Sequence, residues 1–179
     1  MTKVPESPLP RYAPDRAFPP YAYVPGRFPH PTRDPEGHSF GIKPQPAAAP
    51  DPKRWFKSKA YLYGVDLFNH GYYWEAHEVW EDLWHACGRR GTTADFLRAL
   101  IRMAAAGVKA MEEKPEGVQI HANAACELFD EIGDLLGDAD PHFLGLQIRD
   151  LCRIAKQLGA TQSVKGVGLR LSRTEAQDD

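Results

Sequence analysis

The chain has 179 residues, of which 42% are hydrophobic and 26% are charged, as is typical of one globular domain with an extension. The formal net charge of −2 gives no electrostatic reason to expect nucleic acid or an anionic membrane as a partner. No run approaches the roughly 18 apolar residues of a membrane span, and the N-terminus lacks a secretory signal, so we expect a cytoplasmic protein.

Residues 1–52 differ in composition from the rest of the chain, because 14 of the 16 prolines lie there and exclude a helix over most of this length. Aromatic residues are interspersed with the prolines between residues 11 and 40, at a density that is unusual for a disordered tail. The sequence therefore predicts an extended Pro-rich N-terminal arm that packs on the globular body, with His30 and His38 in one loop. Residues 43–52 are typical of a linker.

Residues 53–159 carry apolar side chains at a helical spacing, and no run shows the alternation of a strand. Short connections favour antiparallel neighbours, so the sequence predicts an all-α, compact bundle of about five helices, followed by a polar, frayed tail over 160–179. The five helices are predicted to start at Asp51-Pro52, at Tyr72, behind a cap at Thr92 or Thr93, after a break at 114–117, and at Asp140-Pro141. Glycines 71, 88, 137 and 159 mark four predicted ends.

The three cysteines, Cys87, Cys126 and Cys152, stand far apart in the sequence and form no CxxC pair. Each lies among apolar residues of a predicted helix. We interpret them as reduced packing residues, and the sequence does not favour a structural zinc site or a disulfide framework.

Residues 68–84 are the chemically densest stretch, with three of the four tryptophans, two histidines and four acidic residues. On a helix, His77, Glu81 and Trp84 fall on the border between a broad apolar side and an acidic side. The acidic side consists of Glu75, Glu78 and Asp82. Residues three and four apart are neighbours on a helix surface. His77 and Glu81 can therefore contact each other or share a ligand, and Trp84 covers the next turn.

Three interpretations of this group remain open. In the first, Glu81 accepts a hydrogen bond from the imidazole of His77 in a network that only satisfies buried polar groups. In the second, His77 and Glu81 bind a divalent metal ion such as zinc, manganese or iron. In the third, the group binds an organic or anionic ligand. The candidates for a third metal ligand are Glu78, His121, Asp66, His30 and His38. His121 is the best candidate outside the helix, because it lies on the apolar stripe predicted for the fourth helix, which extends to Leu135.

The pattern of residues 68–84, FNxGxYWEAHExWExxW, resembles the signature of the bacterial and archaeal "domain of unknown function 309" proteins, over roughly residues 55–137. The resemblance implies a small helical bundle and a motif suspected of binding metal, and it implies no activity. The motif positions are His77, Glu81 and Trp84, with Glu75 and Glu78 beside them. Many relatives have glutamine in place of Arg102, and a cation facing the site would pair with Glu81 or Glu78 and oppose a metal there.

We therefore expect a small helical protein with a small-molecule or metal site at His77, Glu78, Glu81 and Trp84. In an enzyme alternative, a metal-bound water is the nucleophile of a hydrolase-like reaction, and Glu78 or Glu75 is the general base. In a further alternative, His77, Glu81 and Trp84 only lock the fold, and the function lies on a surface or in a homo-oligomer.

Overall fold

The structure, a computed structural model, describes residues 9–172, and within them five α-helices form a bundle. The helices are α1 (Lys59–Asn69), α2 (Tyr73–Ala86), α3 (Thr92–Met111), α4 (Pro115–Leu136) and α5 (Ile148–Thr161). A short 3₁₀ turn precedes α1, and two-residue antiparallel strands, β1 (His142–Phe143) and β2 (Leu146–Gln147), precede α5. The predicted all-α class with five helices is confirmed. Within the described residues, no helix is long and apolar enough to cross a membrane.

The first helix begins seven residues later than predicted. The carboxylate of Asp51 accepts a hydrogen bond from the backbone N–H of Lys53 at 2.9 Å, and this local turn replaces a helix cap. Ser58 is the N-cap of α1, and its hydroxyl oxygen accepts from the backbone N–H of Tyr61 at 3.3 Å. The prediction that a threonine caps α3 is also wrong, because that helix begins at Thr92 behind Gly91.

The predicted helix start at Asp140-Pro141 is wrong, because this segment leads into the β-hairpin. Leu144 and Gly145 adopt positive φ angles of 46° and 77° in the hairpin turn. The turn is fixed from the bundle, since the hydroxyl of Tyr61 donates to the carbonyl of Leu144 at 2.8 Å. Helix α5 begins only at Ile148 and continues to Thr161, so the helix end predicted at Gly159 is wrong as well.

Helix α2 packs between α1 and α3, and two glycines allow this close approach. A Cβ atom added to Gly64 would lie 2.3 Å from Nε1 of Trp80, and one added to Gly107 would lie 2.5 Å from the ring of Tyr73. Gly107 belongs to the run of small residues 104–107.

Helix α4 packs on α3 and on α5. It ends before Gly137 as predicted, but it begins at Pro115, inside the predicted break, because proline is tolerated at the first position of a helix. Leu135, however, is 70% exposed, so the predicted apolar stripe of α4 is wrong at its end.

Residues 9–52 contain neither a helix nor a strand, and their first turn is fixed by a buried carboxylate. Asp66 on α1 is completely buried. It accepts hydrogen bonds from Nε of Arg11 at 2.9 Å and from the backbone N–H groups of Tyr12 at 2.7 Å and Ala13 at 2.8 Å. A side chain of the bundle therefore supplies the partners that this part of the backbone does not find in secondary structure.

Residues 162–172 pack back onto the bundle after α5, with Val167 and Leu169 buried. The amide of Asn69 accepts from the backbone N–H of Leu169 at 2.7 Å and donates to its carbonyl at 2.8 Å. The prediction of a frayed tail is therefore wrong for this part of the chain, because its apolar residues find a place against α1. The remaining residues of the predicted tail, 173–179, and the first eight residues of the predicted arm lie outside the described residues.

Candidate functional site: a histidine and two carboxylates on α2

One stripe of α2 is buried, and the candidate site residues lie directly beside it. The buried stripe consists of Tyr73, Ala76, Trp80 and Leu83. His77, Glu81 and Trp84 each follow a member of this stripe by one residue and are partly exposed. A shift of one residue rotates the side chain by about 100°, which carries it from the core to the border of the helix. The predicted border position of these three residues agrees with the structure.

The imidazole of His77 faces two carboxylates. Its Nδ1 atom lies 3.3 Å from Oε1 of Glu78 and 3.6 Å from Oε2 of Glu81. Neither contact has the geometry of a hydrogen bond, so this solvent-shielded nitrogen has no hydrogen-bond partner among residues 9–172. The three potential ligand atoms lie within 4.8 Å of one another. A tetrahedral metal ion with bonds of 2.0–2.2 Å holds neighbouring nitrogen and oxygen ligands about 3.4 Å apart, which is close to both separations.

Of the residues considered as a third ligand, the structure places Glu78 beside His77. Asp66 was another candidate, and that prediction is wrong because its carboxylate is enclosed by the arm and by α1.

The exposed side of α2 near His77 also carries Asp82. Burial and the negative charges of Glu78 and Glu81 raise the pKa of Asp82. The exposed edge of α2 is therefore strongly acidic.

The arm histidines lie against the start of α2 and not against His77. The rings of His30 and Trp74 meet edge to face at 5.5 Å, and Nε2 of His38 lies 3.1 Å from Oε1 of Glu75. The predictions of His30 and His38 as ligands beside His77 are therefore wrong.

Glu75 is buried, although helical periodicity placed it on the exposed acidic side of α2. The arm covers it, and Oε1 accepts a hydrogen bond from the backbone N–H of Tyr23 at 2.8 Å. The second oxygen, Oε2, is buried without a hydrogen-bond partner among the described residues. Because its carboxylate holds the arm, Glu75 is not available as the general base of the enzyme alternative.

A cleft of about 260 Å³ opens between α2, α3 and α4 beside His77. Its acidic wall belongs to α2, and α3 contributes two arginines. The lining residues are His77, Glu81, Trp84, Arg98, Ile101, Arg102, Ala105 and His121. Nη2 of Arg98 lies 3.2 Å from Oδ1 of Asp95 on its own helix. The cleft therefore presents a potential cation site and a potential anion site on facing walls.

His121 lies in this cleft, but Arg102 contacts its Nδ1 atom at 3.4 Å. A guanidinium group only donates hydrogen bonds, so Nδ1 is the acceptor. Burial, and then the positive charges of Arg102 and Lys109, lower the pKa of His121 from its ordinary value of 6.5. Arg102 faces the cleft but is engaged with His121 and not with Glu78 or Glu81, so the expected ion pair that opposes a metal is not formed. His121 is likewise outside the group of three atoms around His77.

The structure thus defines a helical-bundle domain with a histidine–carboxylate cleft. Residues 61–120 match the family model described as "Domain of unknown function (DUF309)", which confirms the resemblance over that range. The matched segment contains the whole of α2 and α3, and hence most of the cleft. No curated protein matches the chain.

Sequence reasoning missed Arg98 as a member of the cleft. Its position follows from the packing of α3 on α2, which the sequence does not specify. The four-residue spacing of Arg98 and Arg102 on one helix face was the available signal.

Proposed function

We propose that α2 binds a divalent metal ion at the edge of the cleft, through Nδ1 of His77 and the carboxylates of Glu78 and Glu81. The supporting observation is the shielded nitrogen that faces two carboxylate oxygens at 3.3 and 3.6 Å without a hydrogen bond. A buried polar atom without a partner costs about 1–3 kcal/mol, and a cation among these three atoms removes that cost. One imidazole and two carboxylates suit zinc, manganese or iron.

The bound ion is proposed to share the cleft with a small anionic ligand. Three protein ligands leave coordination positions open, and Arg98 and Arg102 lie on the facing wall. Guanidinium groups match the geometry of carboxylate and phosphate groups. An anion that contacts both the metal ion and the arginines therefore accounts for the opposite charges of the two walls.

The two alternatives receive less support from the geometry. A network that only locks the fold would give Nδ1 of His77 a hydrogen bond, and it has none among the described residues. A hydrolase would need a carboxylate free to act as a base. Glu78 and Glu81 are the proposed ligands and Glu75 is covered by the arm, so binding rather than hydrolysis is the better-supported function.

Binding of Mn²⁺ to the full chain, purified without an affinity tag and stripped of metal, tests the metal site. We expect one ion per chain by calorimetry and by electron paramagnetic resonance. His77→Ala and Glu81→Gln should each weaken Mn²⁺ binding by at least about 10–100-fold, because loss of a residue that only hydrogen-bonds to a ligand already has an effect of that size.

His142→Ala is the matched control, because this histidine is exposed on β1 and remote in sequence from α2. It should bind Mn²⁺ like the wild type. Unchanged Mn²⁺ affinity in His77→Ala would show that the proposed site is wrong.

The anionic ligand is tested by adding a small dicarboxylate, such as malonate, to the Mn²⁺-loaded protein. We expect tighter binding of malonate in the wild type than in Arg98→Met or Arg102→Met, with the Mn²⁺ affinity retained in both variants. Equal malonate binding in all three proteins would contradict the proposed anion site. The proposed metal site would not be affected by that result, because Mn²⁺ binding tests it separately.

A further inference from the structure

A second group of metal-binding side chains lies where α4 packs on α5. Cys126 and Asp130 are four residues apart on α4 and share a face, and Cys152 comes from α5. The Sγ atom of Cys152 donates to Oδ1 of Asp130 at 3.1 Å, and that of Cys126 donates to Oδ2 at 3.7 Å. The three potential ligand atoms lie within 4.8 Å of one another. None of these residues lines the cleft beside His77.

We propose that Cys126, Asp130 and Cys152 form a second site, for a thiophilic divalent ion of the Zn²⁺ class. Zinc–sulfur bonds of about 2.3 Å and zinc–oxygen bonds of about 2.1 Å place sulfur and oxygen ligands about 3.6 Å apart in a tetrahedron. The observed separations lie on either side of this value, 3.1 Å from Sγ of Cys152 to Oδ1 of Asp130 and 3.7 Å from Sγ of Cys126 to Oδ2. Because these are two different oxygens, the ion is held either by both of them or after a rotation of the Asp130 carboxylate.

Binding at this site exchanges protons for metal without any change of oxidation state. The two S–H bonds break, their two protons pass to solvent, and two metal–sulfur bonds form. The carboxylate of Asp130 supplies a third bond. An open cavity of about 500 Å³, lined by Asp130 and Cys152 among others, leaves space for a water molecule as the fourth ligand.

The surroundings favour a metal site over a reactive thiol. Burial, and then the hydrogen bond to Asp130, raise the pKa of Cys152 to about 12, and burial raises the pKa of Cys126. A thiol with a raised pKa is a poor nucleophile at neutral pH, whereas a divalent ion can displace its proton. The carboxylate of Asp130 contacts both thiols and offers an oxygen ligand to an ion bound between them.

The site joins two helices that are separated in sequence by the β-hairpin. An ion held by ligands from both helices binds the folded chain better than the unfolded chain and therefore stabilises the contact of α4 with α5. Metal binding should accordingly raise the thermal midpoint of unfolding.

Titration of the reduced, metal-free full chain with Cd²⁺ tests this site, since cadmium thiolates have a strong ultraviolet charge-transfer absorption. We expect this absorption to saturate at one Cd²⁺ per chain with release of two protons. Cys126→Ser and Cys152→Ser should abolish it. Asp130→Asn, a change at an exposed side chain that spares both thiols, should weaken Cd²⁺ binding about 10-fold or more.

Two variants serve as controls. Cys87→Ser removes the cysteine outside the group and should retain the absorption, and His77→Ala should retain it too, which separates this site from the cleft. Absence of the absorption in the reduced wild type, or its persistence in both serine variants, would overturn the proposal. Isolation of a Cys126–Cys152 disulfide from a protein whose reduced form gives no cadmium absorption would also overturn it.

Discussion

His38 on the arm and Glu75 on α2 form a contact in which each side chain is only 6% exposed, with Nε2 and Oε1 3.1 Å apart. The same oxygen accepts from the backbone N–H of Tyr23. Asp66 plays a comparable part at the first turn of the arm. Two buried carboxylates of the bundle therefore fix an arm that has no regular secondary structure of its own.

Replacement of His38 by alanine should destabilise the protein by about 1–3 kcal/mol, because it leaves the buried carboxylate of Glu75 with one partner fewer. Chemical denaturation of the wild type and of His38→Ala measures this difference. Limited proteolysis should also cut residues 9–45 faster in the variant. His142→Ala, at an exposed histidine, should change the free energy of unfolding by less than about 0.5 kcal/mol. Identical unfolding and cleavage of all three proteins would contradict the contact.

Asp66→Asn should lower the free energy of unfolding by about 3 kcal/mol or more, because asparagine replaces an oxygen acceptor with an NH₂ group that faces hydrogen-bond donors. The donors are Arg11 and two backbone N–H groups. Equilibrium unfolding in urea gives the difference. Asp15→Asn is the matched control: its ion pair with Lys59, at 3.4 Å, is exposed, and no measurable loss is expected. If the two variants unfold alike, the buried carboxylate does not hold the arm.

Gly64→Ala should destabilise the protein by about 1–3 kcal/mol, because the new methyl group overlaps the indole of Trp80. Gly133→Ala makes the same change within α4, where the nearest atom, Cγ2 of Ile148, lies at 3.4 Å. The control should be neutral or stabilising by up to about 1 kcal/mol, since alanine favours a helix. Thermal unfolding compares the two variants. A Gly64→Ala protein as stable as Gly133→Ala would show that α1 and α2 are not in the close contact described.

The stability of the metal-free protein should fall as the pH falls below 6.5, in part because of His121. The pKa of His121 is lowered in the folded protein from its ordinary value of 6.5. As the pH falls below that value, the unfolded chain therefore binds this proton before the folded chain does. The free energy of unfolding decreases until the pH has passed the lower pKa of the folded protein. His121→Gln should reduce this pH dependence. In nuclear magnetic resonance titrations, Arg102→Met should raise the pKa of His121, since a nearby positive charge is removed. An unchanged pKa would contradict the contact between the two side chains.

Helix ends could be predicted more reliably than helix starts. Gly71 and Gly137 end their helices at positive φ, which is a local property of glycine. The starts predicted at Asp51 and Asp140 were wrong, because proline presets its own φ without requiring a helix after it. Tertiary packing decides whether a helix or another structure forms there, as where the indole of Trp55 occupies the space beside Gly145 in the hairpin turn.

The candidate site could be predicted as far as one helix determines it. The border position of His77 and Glu81 follows from the period of α2 alone. The burial of Glu75 depends on His38, 37 residues away, and the contact of Cys126 with Cys152 depends on the pairing of α4 with α5. The cytoplasmic location, the absence of a nucleic-acid partner and the homo-oligomer stay predictions from the sequence.

The hydroxyl of Tyr12 accepts a hydrogen bond from the backbone N–H of Leu171, 159 residues later, at 2.9 Å. This contact joins the two ends of the described chain, and the entropy cost of closing so long a loop must be met before the bond contributes. Residues 169–172 also leave the ribosome after all five helices. We therefore expect the first turn of the arm and the C-terminal segment to come together late in folding, as an outer layer added to helices that have already formed.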